Sequence, residues 1–327
     1  MKTDMEILKG LVIRSSHNIL IVKVDTKDGQ KELECRIKGK VLKTSEEYYN
    51  PIAPGDWVMI EYQKDLNAAL VLSIEDRKNV FSRFNQKEDT SQLLAANVDL
   101  VLCICTPLSP PFRPRFLDRV ILQADIAGIT PIVICNKIDL TQSSSLHSCA
   151  DTVERLEEFK RLGYKVFSVS AKTSEGLDEL RAEIKGKTSV LTGQSGVGKS
   201  SLLNALQPGL NIREGELNTK YDRGVHTTTM SFMIELSDAQ SAVQTRIIDT
   251  PGVRLFIPDG IKADELVFHM REFAPLAGKC SYGLSCSHKT EPGCKIMEAV
   301  HAGIIHEDRY ESFLRIRDDL ETHINDY

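Results

Sequence analysis

The octapeptide GQSGVGKS at 193–200 matches G-x-x-x-x-G-K-[ST] at every fixed position. The run before it, KTSVLTG, reads as a strand, and KSSLLNALQ after it reads as a helix. In that setting the N–H groups of a glycine-rich loop and a helix N-terminus converge on phosphate oxygens. The candidate cradle is Gly193, Gln194, Ser195, Gly196, Val197, Gly198, Lys199, Ser200 and Ser201. Gly196 and Gly198 permit close backbone approach. Lys199 is expected to reach the β- and γ-phosphates, and Ser200 to ligate Mg²⁺. A second chemistry sits far away, in Cys280-x₅-Cys286-x-His288-x₅-Cys294. Three thiolates and one imidazole suit a closed tetrahedral zinc site of the structural kind, with no open position for catalysis.

Three further motifs bear on a nucleotide. DTPG at 249–252 follows the strand-like TRIID. There Asp249 can hold Mg²⁺ through water, and the N–H of Gly252 can meet a γ-phosphate. NKID at 136–139 follows the apolar PIVIC. Asn136 can bond the guanine edge, the stem of Lys137 can cover the base, and the Asp139 carboxylate accepts from the ring N–H and the exocyclic amine. Adenine does not offer that donor pair. SVSAK at 168–172 follows the next strand, where Ser170, Ala171 and Lys172 form a second base loop, with the Ala171 backbone N–H aimed at the guanine oxygen.

These motifs sit on successive strand ends, in an unusual order. The base reader comes first, then the second base loop, the phosphate loop, a switch segment and DTPG. That order is a circular permutation of the GTPase fold. The site survives it, because such a site is made of loops at the carboxyl edge of one sheet. The permutation also leads DTPG straight into the C-terminal segment.

The elements around the motifs divide the chain into parts. Residues 1–78 alternate short β-branched runs with turn signals such as KDGQ and APGD, which predicts a small OB-like β-barrel, the commonest such barrel that binds oligonucleotides. Residues 79–95 are polar in the middle and read as a linker. From 96 to 257 strands and helices alternate, which predicts a parallel sheet with helices on both faces, a P-loop GTPase domain. Residues 258–327 hold an expected helix in ADELVFHMREF, the irregular cysteine segment and a charged amphipathic helix at the end. Apolar content around those cysteines is low, so this segment is expected to depend on its metal.

The net charge of −5 is no general nucleic-acid footprint, so any RNA contact must be local. RIKGKVLK at 36–43 carries four cations and no anion, which suits either a solvated strand face or such a patch. No window approaches the roughly 18 apolar residues that would span a membrane. The start MKTDMEILKGLVI lacks the apolar core of a secretory signal, and clustered cysteines favour metal over disulfides. A cytoplasmic monomer with no membrane partner is the expectation.

The whole set resembles the circularly permuted, small-subunit-dependent GTPases of bacteria. The barrel, AANVDLVL at 95–102, NKIDL, GQSGVGKSSL, GVHTTT and the late Cys/His cluster carry the resemblance. It implies GTP hydrolysis in late maturation of the small ribosomal subunit, stimulated by that subunit, with the subunit and its rRNA as partners. The family cluster has one residue fewer between its first two cysteines. A threonine of the switch segment should hold Mg²⁺, and similarity favours Thr228 over its neighbours. Val253 stands where many GTPases carry a water-orienting glutamine, and His226 matches the family's proposed catalytic histidine. A rival reading is a zinc-containing RNA-binding protein that uses GTP and GDP only as a sensing switch.

Overall fold

The computed structural model describes residues 5–16, 19–27, 29–37, 48–64, 68–143, 149–212, 231–236, 243–250 and 256–324. Strands β1 (Met5–Ser15), β2 (Leu20–Thr26), β3 (Gly29–Ile37), β4 (Trp57–Gln63) and β5 (Ala68–Ile74) form the expected barrel. It closes because β1 pairs with both β2 and β4, while β3 pairs parallel to β5. Alternation puts Leu20, Val22 and Val24 of β2 and Val58, Ile60 and Tyr62 of β4 inside. Gly10 allows β1 to turn from one partner to the other. A Cβ there would lie 2.4 Å from Val22 Cγ1.

The stretch expected as a linker is instead a hairpin, β6 (Val80–Asn85) and β7 (Thr90–Ala96). Its polar middle is the turn, and Phe81, Leu93, Leu94 and Ala95 are buried. Ser82 and Ser91 both donate to Asp259, which pins the hairpin to the chain beyond DTPG.

The central domain runs β8 (Leu100–Cys105), α1 (Pro114–Ile126), β9 (Thr130–Cys135), α2 (Ala150–Arg161), β10 (Lys165–Ser168), α3 (Leu177–Ile184), β11 (Thr188–Gly193), α4 (Lys199–Leu206), β12 (Ser231–Leu236) and β13 (Thr245–Asp249). The sheet order is β10-β9-β8-β11-β13-β12. Its first five strands are parallel, as expected, and β12 runs antiparallel to β13 at the end. Helices α1 and α2 cover one face, and α3 and α4 the other. Gly128 and Gly163, both at positive φ, follow the ends of α1 and α2. The sheet does not stop at β12. Arg14 and Ser15 of β1 pair with Phe232 and Ser231, and Lys23 pairs with Glu235, so barrel and sheet are continuous.

In the C-terminal part, α5 covers only Leu266–His269, shorter than the periodicity predicted. The chain turns extended at Met270 so that Met270 and Phe273 can enter a core with Leu266, Ile296, Phe313 and Ile316. Helices α6 (Lys295–His301) and α7 (Glu307–Ile324) complete it. This core includes Cys280, Cys286 and Cys294, which corrects the expectation of low apolar content around them. It also takes Leu122 from α1. Among the described residues no helix is long and apolar enough to cross a membrane.

One buried polar joint fixes α1 against this core. Asp118, fully buried, accepts from Arg155 of α2 at 2.9 Å and from Arg309 of α7 at 2.7 Å, and also from Ser312. Arg309 also donates to Glu272 at 2.6 Å. Burial alone would push the Arg309 pKa down, but Glu272 and Asp118 raise it well above its ordinary value, so it stays charged. Breaking one partner of such a set strands a buried charge.

Candidate functional site

The NKID, SAK and phosphate loops meet at the carboxyl edge of the sheet. Asn136 follows β9 directly, and its backbone N–H donates to Cys105 O of β8 at 2.9 Å. Its buried side chain joins two other motifs: Nδ2 donates to Val197 O at 3.0 Å, and Oδ1 accepts from the Ala171 N–H at 3.1 Å. Asn136, expected on the base edge, thus braces the phosphate loop against the second base loop. The Ala171 N–H, expected on the guanine oxygen, is the other end of that brace.

Lys137 has φ of 64° and donates to Gly196 O at 2.7 Å and Ser109 O at 2.9 Å. Asp139 lies in the first turn of a 3₁₀ segment, Ile138–Ser143, and accepts from Ser170 Oγ at 2.7 Å. Ser170 also accepts from the Thr173 N–H, which shapes the loop that carries exposed Lys172. One carboxylate oxygen is therefore anchored, and its mate is available to a base.

In the phosphate loop, Gly196 and Gly198 both have positive φ, near 84° and 91°. Gly198 has a second reason to be glycine, since a Cβ would lie 2.6 Å from Asn136 Nδ2. Val197 is buried in the lower core, while Ser195 and Gly196 stay exposed at the loop crest. Lys199 opens α4, and Ser200 and Ser201 sit in its first turn. The Lys199 ammonium folds onto Gly193 O at 2.9 Å and Gln194 O at 3.4 Å. Burial lowers its pKa, and the nearby Asp249 opposes that.

Asp249 ends β13 beside this loop, 4% exposed. Its Oδ1 is buried with no hydrogen-bond partner among the described residues, and Thr192 Oγ1 and Gln194 Nε2 share that condition. An orphaned carboxylate oxygen at this place fits a hydrated divalent cation. Burial pushes the Asp249 pKa up to about 7, against the pull of Lys199. The pH dependence follows from the sign. Below about 4, the ordinary aspartate value, folded and unfolded chains are both protonated here. Between about 4 and 7 the folded chain keeps a proton that the unfolded chain has lost. Stability of the nucleotide-free protein from this group therefore falls as pH rises through that window. Asp249→Asn should flatten that slope in melting curves taken from pH 5 to 8 without metal. An unchanged slope would remove Asp249 as its source. His226, Thr228 and Gly252 lie outside the described residues.

The second site gathers as its spacing predicts. Cys280, Cys286, His288 and Cys294 are all buried, and one ligand atom of each lies within 4.8 Å of the others. Cys280 Sγ is 3.9 Å from Cys294 Sγ and 3.6 Å from His288 Nδ1, which is 3.4 Å from Cys294 Sγ. A tetrahedral ion with S bonds of about 2.3 Å and N bonds of about 2.0–2.1 Å has edges of about 3.8 Å for S···S and about 3.6 Å for S···N. The residues fit such an ion. Backbone N–H groups of Lys295 and Met297 already donate to Cys280 and Cys294 sulfurs, as they would to thiolates. Burial raises the Cys286 thiol to about 12 and raises Cys294 as well. Only a cation among them would reverse that. Tyr310 donates to His288 O and Arg317 to Ser287 O, which tie the loop to α7.

Sequence reasoning missed two parts of this architecture. Loop 106–113, TPLSPPFR, lies along the phosphate loop, and its prolines were the only signal. The Asp118 joint gave none, because its members lie up to 194 residues apart.

Comparison with known proteins settles the family. The family model described as RsgA GTPase matches residues 74–257. A Bacteroides fragilis protein named small ribosomal subunit biogenesis GTPase RsgA is 36% identical over 96% of this chain and 97% of its own. The chain belongs to the RsgA GTPase family. A Chlorobaculum parvum protein of the same name is 34% identical over 97% of this chain and 99% of its own. Among solved structures, YjeQ from Thermotoga maritima has a TM-score of 0.70 and 28% identity, covering 96% of this chain and 99% of that one. YloQ, titled a circularly permuted GTPase, shares the fold at a TM-score of 0.65 and 24% identity, covering 97% of this chain and 96% of that one. The RsgA family assignment accounts for the motif order.

Proposed function

We propose that this chain hydrolyses GTP to GDP and phosphate during late maturation of the small ribosomal subunit, and that the subunit stimulates the reaction. The observation that carries this is the interlock of NKID, SAK and the phosphate loop through Asn136 at one sheet edge, in a chain that aligns end to end with proteins named for that role. Asp139 selects guanine, and loop amides with Lys199 hold the phosphates. Ser200, Asp249 and Thr228 are the residues that would hold Mg²⁺, whose charge offsets that developing on the phosphates. His226 orients the attacking water, with Val253 in the usual glutamine position. Cys280, Cys286, His288 and Cys294 hold one structural zinc.

The barrel at 1–78 and the C-terminal part at 258–327 flank the GTPase domain at 96–257, and both face rRNA of the subunit. The protein works as a cytoplasmic monomer. The test is phosphate release at saturating GTP, with and without purified small subunits. Turnover should rise at least about tenfold with subunits, and a nucleotide sensor would bind GTP with no rise. In the same assay His226→Ala should lower stimulated kcat by about tenfold to a hundredfold while GTP affinity holds. Equal losses in both would mark His226 as structural.

A further inference from the structure

Loop 106–113 is fastened along the outer flank of the phosphate loop. Pro107, Pro110 and Pro111 restrict its backbone, and Thr106 Oγ1 donates to Pro110 O at 2.6 Å. Lys137 bridges it to the cradle through Ser109 O and Gly196 O. Pro110 abuts Gly196, where a Cβ would lie 3.7 Å from Pro110 Cδ. The loop ends at Arg113, the N-cap of α1, and Arg113 lines one small cavity with Gln194 and Val197 of the phosphate loop.

Arg113 differs from the cations around it. It is exposed, and among the described residues it has no ion pair and no side-chain hydrogen bond. Arg115 and Arg119, next along α1, pair with Glu311 and Asp319. Lys137 and Lys199 are spent on carbonyls. A rigid loop therefore presents one uncommitted guanidinium beside the phosphate cradle, at the positive end of a helix of 13 residues.

We infer that Arg113 is a further phosphate-binding residue, contacting the terminal phosphates of bound GTP from outside the loop. The inference rests on the GTP-hydrolase reading above. An arginine supplied from the same chain stabilises charge that develops during phosphoryl transfer, and its fork suits phosphate oxygens.

The experiment compares wild type, Arg113→Ala and Arg113→Lys. It measures affinity for GDP and for a non-hydrolysable GTP analogue, kcat and KM for GTP, and melting temperature. Arg113→Ala should lower kcat/KM by about tenfold to a hundredfold, the worth of one charge-assisted hydrogen bond. It should weaken the analogue more than GDP. Arg113→Lys should recover part of the loss, since charge returns without the fork. The melting temperature should stay put, because the side chain holds nothing in the fold. Analogue affinity and kcat both at wild-type level in Arg113→Ala overturn the inference. So do wild-type nucleotide parameters together with weaker small-subunit binding, which would place Arg113 on the RNA side. A wild-type chain that binds no guanine nucleotide overturns the underlying reading as well.

Discussion

Asp139→Asn should turn the chain from guanine to xanthine nucleotides. The carboxylate matches two donors on guanine. An amide offers a donor instead, which suits the extra oxygen of xanthine. The surroundings favour a clean exchange, because Asp139 uses one oxygen to accept from Ser170 Oγ at 2.7 Å and asparagine keeps an acceptor there. Asn136 and the loop it braces are untouched. GTP affinity should fall about a hundredfold or more, the scale of a polar mismatch in a site built to hydrogen-bond its ligand. Competition between GTP and XTP on the purified variant measures this. A variant that still prefers GTP would show that NKID does not read the base.

The second large effect belongs to the cysteines. A structural zinc contributes folding energy on the order of 10 kcal/mol in small peptides. Cys286→Ala should release the metal and loosen the loop that Tyr310 and Arg317 hold against α7. Stimulation by the small subunit should be lost along with subunit affinity if, as proposed, the C-terminal part faces the subunit. Nucleotide affinity should stay within about threefold, since the guanine and phosphate loops share no residue with that cluster. The overall melting temperature should nevertheless drop. Arg309 and Ser312 of α7 hold Asp118 of α1, so a loosened α7 leaves a buried carboxylate with fewer partners. Full stimulation in protein shown to be zinc-free would sink the coupling. Loss of GTP binding would show that α1 needs the C-terminal core to keep its place.

Local chemistry made much of this legible in advance. GQSGVGKS, NKID and the cysteine spacing each name a chemistry with few residues, and alternation in NILIVKV and DWVMIEY announced a barrel. What escaped was long-range or depended on burial. The hairpin at 80–96 hid because its polar turn resembles a connection, while Phe81 and Leu93 are sparse signals. ADELVFHMREF has helical spacing, yet packing of Phe273 against Phe313 at 4.7 Å required the chain to leave the helix early. The strand after the switch segment carries no local signal of its direction. Only the ladder shows that it runs antiparallel and continues into β1.

That strand β1 serves two cores at once. Val12 points into the barrel, whereas Leu11 and Ile13 are buried with Val101, Val120 and Ile248 of the nucleotide domain. During synthesis the barrel precedes the residues that cover that pair. Its ring closes on strands that lie near one another in sequence, so it can fold early. Until the later strands arrive, Leu11 and Ile13 face water, and an exposed apolar pair on a folded intermediate invites association. The pairing of Lys23 with Glu235 must wait for a segment 212 residues further along. A barrel excised at residue 78 would therefore fold and yet be sticky, its outer wall cut from the neighbour that shields it. The seam between the two domains closes long after the barrel has formed, once Glu235 and Ile248 have been made.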